Sequence, residues 1–90
     1  MPIKHARSST RHRISRQRSR YVIETTSVIF AEDAPGGSPL DDQRLVFLGP
    51  DADGELLEVM AIQTDDDGLL VIHAQPIRAR YLTLLKEGLT

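Results

Sequence analysis

Three apolar runs between residues 44 and 75, each cut short by a turn sequence, constrain this chain more than any other feature. RLVFL, ELLEVMAIQ and LLVIHAQ are rich in Val, Ile and Leu. Such residues fit a pleated, half-buried surface. GPDADG and DDDG separate the runs, and Asp and Gly in such clusters favour tight turns. The spacing predicts strands at Arg44–Leu48, Glu55–Gln63 and Leu69–Gln75. The connections are short enough for hairpins, so the expected arrangement is a three-stranded antiparallel meander. The second and third runs are apolar on both faces, so both faces of the sheet need cover.

The flanking segments read differently. Residues 1–13 are polar apart from Ile3 and Ala6, and read as weakly structured or helical. Ser15 suits an N-cap. Ile14, Val22, Thr25 and Ile29 recur at helical spacing, which predicts a helix to about residue 30. The β-branched content of YVIETTSVIF makes a strand its competitor. Residues 31–43, with two prolines and two adjacent glycines, read as a loop. Pro76 stops the sheet and suits a first helical turn. A helix is then expected over 77–87, with Ile77, Tyr81, Leu84 and Leu85 as its apolar stripe and Gly88 just past its end. The expected fold is a single α+β domain over 1–90: N-terminal helices, a three-stranded antiparallel sheet and a C-terminal helix.

Ninety residues limit the buried core, so a partner that adds to it is expected. The absence of cysteine excludes disulfide scaffolds, thiolate metal sites and cysteine nucleophiles. No apolar run approaches the ~20 residues of a membrane span, and the N-terminus lacks a signal-peptide core. The expected compartment is the cytoplasm. The net charge of −2 is unevenly spread. Residues 1–20 hold seven bases and no acid, residues 21–77 hold twelve acids and one base, and residues 78–90 carry +2. This predicts a basic surface from the two chain ends, able to meet a polyanion or an acidic partner. A solvated arm without a ligand is the alternative.

Asp51-Ala52-Asp53-Gly54-Glu55 opens like a calcium loop, but Ile62 stands where the closing carboxylate belongs. Asp65-Asp66-Asp67-Gly68 reads as an exposed hairpin turn. His5 and His12 lie seven residues apart and would share a face if their segment were helical. His73 is distant in sequence, so neither a metal site nor a cofactor is expected. Cationic chemistry remains. Arg7, Arg11, His12, Arg44, His73, Arg78, Arg80 and Tyr81 are the groups able to meet a phosphate. Arginine offers planar bidentate donors to phosphate oxygens, and histidine moves protons near neutral pH. This set suffices for attack of a ribose 2′-hydroxyl on its own phosphodiester, and equally for binding nucleic acid without cleaving it.

Several blocks share the order and spacing of a known pattern. They are His5-Ala6 with its following arginines, RHRIS at 11–15, RLVFLGPDADGELLEV at 44–59 and VIHAQPIRARYLTLL at 71–85. Over most of its length the chain resembles BrnT-like toxins of the RelE/ParE superfamily, from bacterial toxin–antitoxin pairs. The resemblance implies a RelE-like α+β fold and metal-independent mRNA cleavage, often on the ribosome. It also implies a cognate antitoxin bound in a hetero-oligomer. Carried over, it makes Arg44, His73, Arg78 and Tyr81 the candidate catalytic residues, with Arg11 and His12 of the RHRIS match next; with Arg7 and Arg80, which the charge pattern adds, these are the candidates for binding the RNA. Tyr81 also falls on the apolar stripe of the last helix, where packing is its other role. Two departures stand out. The family typically has glycine where this chain has Arg13, and often methionine where it has Gln75.

Overall fold

The computed structural model describes residues 2–33 and 43–88. Its elements in chain order are β1 (Ile3–His5), a 3-10 turn (Arg7–Thr10), α1 (Arg16–Thr25), β2 (Val28–Glu32), β3 (Arg44–Pro50), β4 (Leu56–Gln63), β5 (Leu69–Pro76) and α2 (Ala79–Gly88). The five strands form one sheet in the order β1-β5-β4-β3-β2. The three expected strands are present as β3, β4 and β5, joined as antiparallel hairpins.

The expected three-stranded sheet with helical N-terminus is corrected at both edges: the sheet has five strands and is mixed. On one side, β1 pairs parallel to β5. Its polar, three-residue sequence gives no strand periodicity, and the free edge of β5 supplies the pairing. Leu69 donates to the Pro2 carbonyl at 2.9 Å, and Ala6 donates to Val71 at 2.8 Å. Gly68 makes the approach possible, since a Cβ there would sit 2.6 Å from the Pro2 carbonyl oxygen.

On the other side, the helix expected to reach residue 30 stops at Thr25. Its start is as read: the Ser15 side chain accepts from the Arg18 backbone N–H at 3.2 Å. Its end is set by hydroxyls. Thr26 is extended, its Oγ1 donates to the Leu48 carbonyl and it accepts from the Val28 N–H. These bonds replace the next helical turn. Val28–Glu32 then pairs antiparallel with β3 and alternates between half-buried and exposed. Ala31 and Glu32, expected in a loop, belong to this strand. The Pro/Gly-rich part at 34–42 lies outside the described residues.

The sheet is covered on both faces. On one, Phe47, Leu57, Val59 and Val71 pack with Ile14, Val22 and Ile23 from α1 and its approach. On the other, Val46, Leu48 and Met60 pack with Tyr81 and Leu85 of α2. Fully burying one such aliphatic side chain contributes about 1.5–3 kcal/mol. The apolar stripe of α2 departs from its expected form. Leu84 is 41% exposed, and Leu82 packs toward the core instead. Pro76 ends β5 opposite Leu57 rather than opening the helix.

Among the described residues, no helix is long and apolar enough to cross a membrane.

Candidate functional site

The site is built around an acid that the sequence reading passed over. Glu58 sits in the middle of β4, where alternation turns its side chain to the α2 face with Leu56 and Met60. It is 0% exposed. A buried carboxylate requires partners, and the neighbouring segments provide them. Arg78, between β5 and α2, donates from its backbone N–H at 2.9 Å. Its Nε reaches both carboxylate oxygens, at 3.0 and 3.1 Å, and its Nη2 lies 2.7 Å from Oε2. His73, on the neighbouring strand, places Nε2 at 3.2 Å from Oε2.

Burial pushes the Glu58 carboxyl up, but the Arg78 hydrogen bonds and charge, with the His73 bond, outweigh it. The net displacement is downward from 4.5. Glu58 is therefore a carboxylate at neutral pH and accepts from His73. His73 is displaced downward from 6.5. Burial is the largest cause, the Glu58 bond and charge oppose it, and the charges of Arg78 and His12 add to it. Its imidazole is thus neutral at pH 7. A carboxylate only accepts, so Nε2 carries the proton and Nδ1 keeps its lone pair.

A β-bulge aims His73. Ala61 pairs with Val71 and Met60 with His73, leaving Ile72 as the extra residue. Such a bulge re-aims the side chains beside it. Ser8, in the 3-10 turn, donates to the freed Ile72 carbonyl at 2.8 Å. This bond fastens the N-terminal segment against β5. The chain then turns through Arg13 at a positive φ of 64°. This is a left-handed conformation, which glycine adopts more readily than a residue with a side chain. His12 consequently lies edge-on to His73, with ring centroids 5.6 Å apart.

The expected shared helical face for His5 and His12 does not form. His5 belongs to β1 and meets Ser19 of α1 at 3.1 Å, on the face of the sheet opposite His12.

The remaining candidates take distinct places. Arg44 is half-buried at the start of β3, with Nη1 at 3.5 Å from the Met60 sulfur, and Met60 is opposite His73. Tyr81 is 1% exposed and donates its hydroxyl to Glu32, 2.9 and 2.8 Å from the two carboxylate oxygens. Burial first, then Glu32, raises its pKa from 10.0. Arg78 and Arg80 lie over its ring at 5.4 and 4.5 Å, and Arg80 reaches Glu32 at 3.5 Å. Tyr81 therefore supports these two arginines from beneath. Arg7 and Arg11 are exposed, and no ion pair to either occurs among the described residues.

Glu58 did leave a signal in the sequence: it is a lone acid inside the apolar run LLEVMAI, where burial demands a cation. Glu32 left none, because its segment read as a loop. The Asp51 turn is structural. Asp51 accepts the backbone N–H groups of Asp53 and Glu55, both at 2.9 Å, and Arg18 Nε at 2.8 Å. Among the described residues, no group of three metal-ligating side chains converges.

Compared with protein-family models, curated proteins and solved structures, the chain matches none. The geometry of the site and the residue pattern are what bear on its chemistry.

Proposed function

We propose that this chain is an RNA-cleaving toxin of a type II toxin–antitoxin pair, acting without a metal in the cytoplasm. The observation that carries the reading is the His12–His73 pair, with His73 fixed by the buried carboxylate of Glu58. Two adjacent imidazoles supply a base and an acid for one phosphodiester. His73, neutral and with Nδ1 available, takes the proton of a ribose 2′-hydroxyl. The 2′-oxygen forms a bond to phosphorus, and the bond from phosphorus to the 5′-oxygen breaks. His12 gives the leaving oxygen its proton. The products are a 2′,3′-cyclic phosphate and a 5′-hydroxyl, with no water consumed.

Arginines serve the developing charge on the phosphorane. The fork of Arg78 is partly committed to Glu58, which leaves Nη1 for a phosphate. Arg44 lies beside Met60, Arg80 lies over Tyr81, and Arg7 and Arg11 are exposed in the N-terminal segment that carries His12. An antitoxin has exposed apolar groups available to it at Tyr21, Ile29 and Leu84.

Induced expression in a bacterial host, with growth and cellular RNA 5′ ends followed together, tests the reading. Growth arrest with new RNA ends is expected, lost in His73→Ala and His12→Ala. The commitment of Arg78 to Glu58 favours one competing reading, a nucleic-acid-binding module that does not cleave. Unchanged RNA ends from a folded protein would select it.

A further inference from the structure

The face opposite His73 carries a second group of cations that the proposed chemistry does not use. Ile3, His5, Arg16, Gln17 and Arg20 line an open cavity of about 390 Å³ between β1 and α1. Ile3 and His5 project to this face by strand alternation, and Ile3 packs on the core beneath. Arg16 and Arg20 stand one helical turn apart, on the same side of α1. Arg16 is exposed, and no ion pair to it occurs among the described residues. Arg20 has Glu24 at 3.5 Å, both more than half exposed, and such a pair is weak and exchangeable.

His5 completes the group from the sheet side. The Ser19 hydroxyl donates to the Arg16 carbonyl at 3.1 Å, so its oxygen is free to accept from His5 Nε2 at 3.1 Å. This bond fixes the ring against the helix. Burial, and then the charge of Arg16, depress the His5 pKa from 6.5, with Arg20 adding to the effect. A backbone hydrogen bond to Arg16 opposes this shift. The cavity thus carries the charges of Arg16 and Arg20, offset in part by Glu24, and His5 lies within reach of them.

We infer that this cavity is a second phosphate site, holding a backbone phosphate of the nucleic acid whose scissile bond lies at His12 and His73. The path between the two sites exists in the chain itself. From His5 it runs through Arg7 and Arg11 around the β1 edge to His12, with no acid in residues 1–20. A single strand wrapped around that edge meets cations throughout. The inference rests on the nucleic-acid reading above but not on cleavage.

The test therefore measures binding to a single-stranded oligodeoxynucleotide, which has the phosphates but no 2′-hydroxyl. Affinity is followed against salt for the wild-type protein and for Arg16→Gln/Arg20→Gln, both exposed substitutions. Losing one phosphate contact should reduce the slope of log K against log salt by about 0.7. In parallel, the His5 imidazole is titrated by NMR with and without the oligonucleotide. A bound anion favours the charged ring, so its pKa should rise on binding in wild type and not in the variant. An unchanged slope with an unmoved His5 would overturn the inference. So would a His5 response to inorganic phosphate with no response to the oligonucleotide, since that pattern marks a free-phosphate site. Cleavage of the matching RNA is scored separately. A chain that shows the slope and the His5 response yet cuts nothing would retain the phosphate site and lose the nuclease reading.

Discussion

Arg78 wraps the carboxylate of Glu58 with a backbone N–H, Nε and Nη2, and that carboxylate in turn holds the ring of His73. The guanidinium is half exposed, at 47%, while the carboxylate is fully enclosed. One acid therefore anchors the entry to α2 and sets the tautomer of the imidazole. Burial is the first cause of the lowered proton affinity of His73, and the opposed charges on its two neighbours adjust it; each of those charges can be removed.

Glu58→Gln removes the charge that favours protonated His73, so His73 should titrate at lower pH than in wild type. Arg78→Gln removes a charge that disfavours it, so His73 should titrate at higher pH. NMR titration of the ring reads both. Arg78→Gln should also cost about 2 kcal/mol of stability. It leaves a buried carboxylate underpaired, and the value is below that of a fully buried pair because Arg78 is half in water.

Stability should fall on acidification in two stages. His5 and His73 are both displaced below 6.5 in the folded chain, so the unfolded chain binds protons that the native one does not. Their contribution is complete above the unfolded value and is lost as pH falls through 6.5. Glu58 is displaced below 4.5, so its contribution is lost as pH falls beneath that value. Urea midpoints measured across this range should be flat above about pH 7 and decline below 6.5. The decline should steepen below 4.5, and His73→Gln should weaken the upper stage.

Arg13→Gly should stabilise the protein. The left-handed conformation at a φ of 64° costs a side-chain-bearing residue about 1 kcal/mol, which glycine recovers. Thermal unfolding should move up by about 4–8 °C. A decrease would show that the Arg13 side chain makes a compensating contact.

Tyr81 separates packing from catalysis. Tyr81→Phe loses a hydrogen bond to a carboxylate, about 2 kcal/mol, and should leave RNA cleavage intact where the protein remains folded. Tyr81→Ala opens the core beneath two arginines and should cost about 4 kcal/mol. Calorimetry beside a cleavage assay reads the two effects apart.

The central meander was legible because each of its strands carries its own signal: apolar residues, then Asp and Gly at the turn. The two edges were not. Ile3–His5 is a strand because β5 offers an edge, which is a tertiary fact. Val28–Glu32 carries helical and strand periodicities together, and Thr26 decides between them through Leu48, 22 residues away. The residue types of the candidate group were legible, since His12, His73, Arg44, Arg78, Arg80 and Tyr81 stand out in the sequence as able to meet a phosphate. Its organisation was not, because it depends on Glu58 and on the extra residue Ile72. A lone acid in an apolar run shows that a cation must come to it, without showing which one. A bulge leaves no trace in composition.

The most direct measurement incubates purified protein with a single-stranded RNA in excess chelator, with and without ribosomes, and identifies the chemistry of the new ends. Wild type should produce 2′,3′-cyclic phosphate and 5′-hydroxyl ends, and both His73→Ala and His12→Ala should produce none. Intact RNA under both conditions would contradict the account, as would cleavage that survives loss of either imidazole.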